Sequence, residues 1–233
     1  MTDSDVRDKL VEACRVLFSE GHEHFYLGHV SARASTPGQI WAKPTGLGFD
    51  EVLAEDIALA DMDGRHLAGE RKLHLEMPIH TGIFRARPDV QAVVHCHAFH
   101  AVALSASGAA FQLVSQDSLV FAGGVATYPS AELVETADAG DGLARALGNC
   151  DVVLMKNHGL TAVGASIEQA VVRAVSFERS CRLQLAAAQL GGVSPIPAEQ
   201  AARMIARFSQ QASREQSIWR YLVRRAVADR APQ

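Results

Sequence analysis

Apolar residues recur along this chain with two periods, and each period marks out its own elements. Val6, Leu10, Cys14 and Leu17 fall three or four apart in an otherwise polar run, which predicts an amphipathic helix over 3–20 with Gly21 as its stop. FYLGHVSARA (25–34) reads as a strand in which Gly28 lets the backbone approach a neighbour closely. TPGQ turns it back into IWAKPTG. Residues 57–61 predict a strand, Asp63-Gly64 a hairpin turn and 65–67 a short return. Pro78 suits the first turn of a helix that ends before Pro88. The β-branched run at 91–94 is a buried strand that, if it continues, carries His95 and His97. After it the pattern gives a short helix at 100–106 and two short strands within 112–127, broken by Gly123-Gly124. A helix at 133–147 interrupted by Gly140 and Gly142 follows, then a buried strand at 151–155. Ser166 caps a long helix to about 190, and Pro195 and Pro197 separate it from a C-terminal helical segment, 199–228 within about 195–230. Strands beside hairpins, with helices before, between and after, predict one α/β domain over 1–233 whose mixed sheet is covered on both faces.

Composition narrows the class. With 48% hydrophobic and 21% charged residues the chain reads as soluble and globular. A formal net charge of −4, with no basic stripe beyond Arg220, Arg224 and Arg225, argues against a nucleic-acid surface. The longest apolar candidate, AVALSASGAAF, is too short for the roughly 20 residues of a membrane span. The acidic start MTDSDVRDKL is not a secretory signal. A cytoplasmic location follows as an expectation. Cys14, Cys96, Cys150 and Cys181 show no C-x-x-C spacing and read as reduced, structural thiols.

The candidate chemistry centres on QAVVHCHAFH (91–100). Two residues apart on a strand, His95 and His97 point to one face, and Cys96 points away. Two imidazoles on one face can share a cation, and the chain offers a further His-Gly pair at His158 and an acid at Glu76. The plainer reading, buried histidines hydrogen-bonded to backbone, stands beside it. Glu76 and His80 share a helix face, although an acid at a helix entrance is often there for the dipole alone. Pro44-Thr45-Gly46 forms a loop with a hydroxyl and free backbone amides, suited to an anionic group.

G-H-V-S-A-R (28–33), P-T-G (44–46), L-E-M-P-I-H (75–80), V-V-H-C-H (93–97) and N-H-G (157–159) occur in this order. In that order the chain resembles the class II aldolase/adducin family from its first helix to about residue 190. The resemblance implies a three-layer α/β/α sandwich with a largely antiparallel sheet, and homotetramers with active sites at subunit contacts. It implies His95, His97 and His158 as ligands of a divalent metal, zinc or manganese being favoured and cobalt or iron allowed. Glu76 would be the acid/base, its pKa raised by partial burial. Gly28, His29, Ser31, Thr45, Gly46 and His74 would surround a small-molecule substrate.

Departures from the pattern refine the activity. Sugar-phosphate enzymes of the family usually carry Asn where His29 stands, and two serines where His74 and Leu75 stand. Their loss weakens a phosphate site, whereas imidazoles at His29 and His74 suit a carboxylate. Val125 takes the place of a tyrosine used by the aldolases, and a partner subunit's Tyr221 would offer a hydroxyl instead. The chain therefore looks more like the family's decarboxylases of hydroxylated aromatic or heteroaromatic carboxylates. In both reactions the electron pair left by the broken carbon–carbon bond passes to an oxygen held by the metal. An aldolase on a sugar phosphate, a non-catalytic adducin-like interaction module and a metal-dependent oxygenase are the alternatives.

Overall fold

The computed structural model describes residues 1–207 and 211–228. It opens with α1 (Asp3–Ser19), started by a reciprocal cap: Thr2 Oγ1 accepts the Asp5 N–H, and the Asp5 carboxylate accepts the Thr2 N–H. Then come β1 (His29–Arg33), β2 (Gln39–Ala42), β3 (Ala58–Asp61), β4 (His66–Ala68), α2 (Met77–Ala86), β5 (Ala92–Cys96) and α3 (Phe99–Ser107). A 3-10 turn at Asp117–Phe121 precedes β6 (Ala126–Tyr128), α4 (Ala137–Leu147), β7 (Val152–Met155), β8 (Gly159–Gly164) and α5 (Ile167–Gln189). Two further helices, α6 (Ala198–Arg207) and α7 (Gln211–Ala228), occupy the expected C-terminal helical segment; its positions 208–210 and 229–230 lie outside the described residues.

Among the described residues the strands form one sheet in the order β4-β3-β2-β1-β5-β8-β7-β6. Every neighbouring pair is antiparallel except β6 with β7. Strand alternation sends side chains to two apolar layers. Ala92, Val94 and Cys96 of β5 enter the cluster built with α1, α3, α5 and α7. Val93 enters the cluster built with α2 and α4. The result is a three-layer α/β/α sandwich with a largely antiparallel sheet.

On the second face α2 and α4 cross at two glycines. A Cβ on Gly140 would overlap the Pro78 carbonyl, and one on Gly82 would lie 2.6 Å from the Gly140 carbonyl. Gly140, which weakens the helix signal in the sequence, is therefore where the backbones of two helices touch. That contact pins the first turn of α2.

Three expectations change. The strand at 25–34 starts only at His29, with Phe25 and Tyr26 in a turn before it. Of the two strands within 112–127 only β6 forms. Upstream of it the backbone is held by other partners: the Gln112 N–H donates to Gln184 Oε1, the Gln184 amide donates to the Ala110 carbonyl, and the Ile196 N–H donates to the Leu113 carbonyl. Leu119 and Phe121 are buried there, and Phe121 packs edge-on against Phe111 and Phe177. Third, β8 has no counterpart in the sequence reading, because glycines bound it at both ends.

Candidate metal centre

His95 comes from β5, near the middle of the sheet, and its side chain lies on the opposite face from Cys96. His97 lies one residue beyond the strand's end, and its ring turns back edge-on to His95, with Nε2 to Nε2 at 3.1 Å. His158 comes from the tight turn between β7 and β8. There Asn157 takes the left-handed conformation at φ 54° and donates its N–H to Ser105 Oγ, and the His158 N–H closes the turn onto the Met155 carbonyl. Gly159 is required next to it, since a Cβ there would lie 2.6 Å from the Cys96 carbonyl and 2.9 Å from the His97 ring. Glu76 stands at the N-cap of α2, just ahead of Pro78. Its Oε1 accepts the Val134 N–H at 2.9 Å and lies 3.6 Å from His158 Nε2, while Oε2 lies 4.0 Å from His95 Nε2.

Candidate ligand atoms from Glu76, His95, His97 and His158 all lie within 4.8 Å of one another. Three imidazoles and a carboxylate form a donor set for a divalent ion with coordination positions left for substrate. Hydrogen bonding fits that use. Thr161 donates its hydroxyl to Met155 Sδ and so presents a lone pair to His95 Nδ1 at 3.1 Å. His95 therefore carries its proton on Nδ1 and turns the Nε2 lone pair inward. His97 has its own support, its Nδ1 2.9 Å from His24 Nδ1. Both ring nitrogens of His158 are buried with no hydrogen-bond partner, Glu76 Oε1 standing off at 3.6 Å. With the proton of each ring on Nδ1, the two Nε2 lone pairs, 3.1 Å apart, would converge on one cation.

Electrostatics agree with neutral imidazoles. Burial and the adjoining rings of His29 and His97 hold His95 well below its ordinary range. Burial, with His158 and His24, brings His97 down to about 4. Glu76 departs from the sequence expectation of a raised pKa. Burial does push it up, but His158, His95 and the Val134 N–H favour the anion more strongly and bring it down to about 2. At neutral pH the group is a carboxylate.

The substrate-binding candidates divide. His29 pairs across the ladder with His95, is 1% exposed, and aims an unpartnered Nε2 at Glu76 Oε2, 3.9 Å away. His74, half-buried, packs on the His29 ring with centroids 4.3 Å apart. Ser31 is buried behind them, hydrogen-bonded to His80. Gly28 meets Phe49 rather than a substrate: a Cβ there would lie 2.6 Å from that ring. Thr45 and Gly46 offer less than expected. The Thr45 N–H is taken by the Lys72 carbonyl, and exposed Gly46 faces a cavity that Glu23, Asp50 and Glu51 also line. Tyr221 is 53% exposed on α7, which packs on α1 and α5, so within one protomer it is not part of the cluster.

Sequence reasoning left three neighbours without a role. His80, at helical spacing from Glu76, bonds to His29 and Ser31; the signal was that His29 and Ser31 sit two apart on one strand. His24 supports His97, and only the H-x-H at 22–24 hinted at it. Lys43 is fully buried, donates to the carbonyls of Tyr26 and Pro44, and lies over the Phe49 ring. Burial brings its pKa down to about 8. Its sign was a lone charge in an apolar run.

Comparison with known proteins places this arrangement. The family model described as Class II Aldolase and Adducin N-terminal domain matches residues 8–185. A 3,4-dihydroxyphthalate decarboxylase from Arthrobacter keyseri is 34% identical over 206 residues, covering 82% of each chain. Among solved structures, an L-fuculose 1-phosphate aldolase from Glaciozyma antarctica PI12 superposes with a TM-score of 0.83 at 29% identity, over 94% of this chain and 90% of the other. An aldolase II superfamily protein from Pseudomonas syringae gives a TM-score of 0.88 at 28% identity, over 98% and 94% of the two chains. With its sheet order, its histidine cluster and a match over most of its length, the chain belongs to the class II aldolase and adducin family.

Proposed function

We propose that this protein is a divalent-metal-dependent carbon–carbon lyase that decarboxylates a hydroxylated aromatic or heteroaromatic carboxylate. The observation that carries the reading is the pairing of the Glu76, His95, His97 and His158 cluster with two further imidazoles, His29 and His74, on its substrate side. Similarity to a 3,4-dihydroxyphthalate decarboxylase supports it.

His95, His97 and His158 would hold the ion, with Glu76 beside them. A divalent ion bound there supplies Lewis acidity, drawing electron density from substrate oxygens as the bond breaks. Zinc or manganese suits three neutral nitrogens and a carboxylate, and cobalt or iron would also fit. Glu76, as a carboxylate, takes a proton from a substrate hydroxyl. It returns that proton to the ring carbon that has lost carbon dioxide. His29 and His74 orient the carboxylate by donating hydrogen bonds.

The second reading, an aldolase acting on a sugar phosphate, draws on the likeness to the L-fuculose 1-phosphate aldolase. Against it stand the occupied Thr45 N–H and the acidic residues around Gly46.

We further propose a cytoplasmic, single-domain homotetramer with sites at subunit contacts, the partner subunit's Tyr221 reaching the substrate. Leu75, Phe25 and Phe99 support this assembly, being each at least 74% exposed and close in sequence to site residues. Free cysteines, three of them buried, suit a reducing compartment. No helix among the described residues is long and apolar enough to cross a membrane.

The deciding experiment is a screen of metal-loaded protein against hydroxyaromatic acids and sugar phosphates, scoring carbon dioxide against aldehyde. Carbon dioxide from an aromatic acid is the expected result. Aldehyde release selects the aldolase, oxygen uptake with iron selects an oxygenase, and failure to bind any metal selects a non-catalytic module.

A further inference from the structure

A hydroxyl and two imidazoles lie in a line behind the substrate side of the site. Ser31 Oγ is 2.5 Å from His80 Nδ1, and His80 Nε2 is 2.6 Å from His29 Nδ1. All three side chains are closed to solvent. The line ends at His29 Nε2, which is buried with no hydrogen-bond partner and lies 3.9 Å from Glu76 Oε2.

The direction of the protons follows from counting donors. A neutral imidazole donates from one nitrogen and accepts at the other, so the line runs one way or the other as a unit. If Ser31 donates to His80 Nδ1, then His80 donates from Nε2 to His29 Nδ1, and His29 keeps its proton on Nε2. In the reverse arrangement the Ser31 hydroxyl hydrogen has no acceptor among the described residues, because His80 is its one hydrogen-bond partner there. His29 would also turn a bare lone pair toward the Glu76 carboxylate. The first arrangement has neither fault. Burial and the nearby His74 ring bring His80 down to about 3, so it stays neutral as the counting requires.

We propose that Ser31 and His80 form a positioning pair that locks His29 as a neutral Nε2–H donor. The Nε2–H of His29 thereby offers its hydrogen bond to an oxygen bearing negative charge, a substrate carboxylate or phenolate. The nature of that oxygen rests on the decarboxylase reading above; the orientation of the rings does not. Carboxylates and phenolates only accept hydrogen bonds, and a locked donor serves them. A substrate hydroxyl that has to donate finds no acceptor at His29. His74, with its own Nε2 buried and unpartnered beside the His29 ring, widens the same subsite.

Two measurements test the pair. Long-range proton–nitrogen correlation spectra of metal-free protein with nitrogen-labelled histidine report the tautomer of each ring. His29 and His80 are expected to carry their protons on Nε2, and Ser31→Ala is expected to give a second tautomer population in both. Phthalate, used as a probe on zinc-loaded protein, is expected to bind about tenfold more weakly to His80→Phe, the effect of one lost oriented hydrogen bond. His80→Gln, whose amide can still donate to His29 Nδ1, should recover binding to within about threefold of wild type. A His29 ring protonated on Nδ1 overturns the proposal even if His80→Phe does not fold. A wild-type protein that ignores phthalate overturns the assignment of a charged oxygen to this subsite, and equal phthalate affinity in wild type and His80→Phe overturns the pair's part in binding it. If the tautomers are as stated and the substrate screen yields no carbon dioxide, the decarboxylase reading fails and the positioning pair stands.

Discussion

His29 lies directly across the β1–β5 ladder from His95, their rings stacked at 28° with centroids 4.8 Å apart. One ring turns its Nε2 lone pair toward the candidate ion, and the other holds its Nε2 toward Glu76 Oε2, 3.9 Å away. Strand register fixes their separation, and a one-residue slip would send both to the opposite face. Reactive groups are thus placed by the middle of the sheet, so changes to them should affect chemistry more than folding.

Removing a candidate ligand tests that separation of roles. His158 makes no side-chain hydrogen bond, its near polar neighbour being Glu76 Oε1 at 3.6 Å, so its loss leaves no buried donor newly unpaired. His158→Ala is expected to hold no metal after dialysis, while its metal-free form unfolds within about 4 °C of metal-free wild type, as for a change of about 1 kcal/mol or less. Elemental analysis and calorimetry measure both. Stoichiometric metal in the variant would remove His158 from the ligand set.

Glu76 has a structural role, accepting the Val134 N–H, and a proposed one in proton transfer, and different substitutions separate them. Glu76→Gln keeps an oxygen to accept the Val134 N–H, which Glu76 Oε1 accepts at 2.9 Å. Turnover should fall by about 10²- to 10⁴-fold with metal retained and little change in stability. Glu76→Ala leaves that buried N–H unpaired and should also lower stability by about 1–3 kcal/mol. Normal turnover by Glu76→Gln would move the proton transfer to another group.

Acid should unfold the metal-free protein early. His80 lies at about 3 when folded, against an ordinary 6.5. Between those values the unfolded chain binds a proton that the folded chain refuses, so stability falls as pH drops through 6.5 and the loss is complete near 3. By pH 5 this one ring removes about 2 kcal/mol. Glu76, at about 2 against 4.5, acts in the same sense: its contribution is full above 4.5 and is lost as pH falls toward 2. Urea unfolding at pH 7 and pH 5 should show the decline, with a shallower slope in His80→Phe. An unchanged slope in that variant would place the acid sensitivity elsewhere.

How much of this was legible in the sequence depends on how local each signal is. His95 is placed by the two-residue period of a strand, and His158 by an asparagine–histidine–glycine turn, so both could be read in one dimension. His80 and Thr161 could not, because their partners are 49, 51 and 66 residues away and meet them only through sheet pairing and helix docking. The same distance explains the error over Glu76. Burial near Pro78 was foreseeable, but the Val134 N–H that helps keep the carboxylate ionised arrives from 58 residues further on. Lys43 escaped notice because a charged side chain in an apolar strand end reads as exposed unless its carbonyl partners are known.

The glycine pair in α4 offers a test of how the second helical layer holds the site. Gly140 touches the Pro78 backbone, whereas a Cβ on Gly142 would meet nothing nearer than the Arg145 guanidinium at 3.7 Å and the Tyr128 hydroxyl at 3.8 Å. Gly142→Ala should therefore stabilise the protein by up to about 1 kcal/mol through helix propensity alone. Gly140→Ala gains the same propensity but must push α4 off α2, a net destabilisation of about 1–3 kcal/mol. Because Glu76 caps α2 one residue before Met77, the displaced helix should also weaken metal binding, which Gly142→Ala should leave unchanged. Calorimetry and zinc titration of the two variants separate propensity from packing. If both substitutions moved stability in the same direction and left zinc affinity alone, the contact between α2 and α4 would not be what positions Glu76.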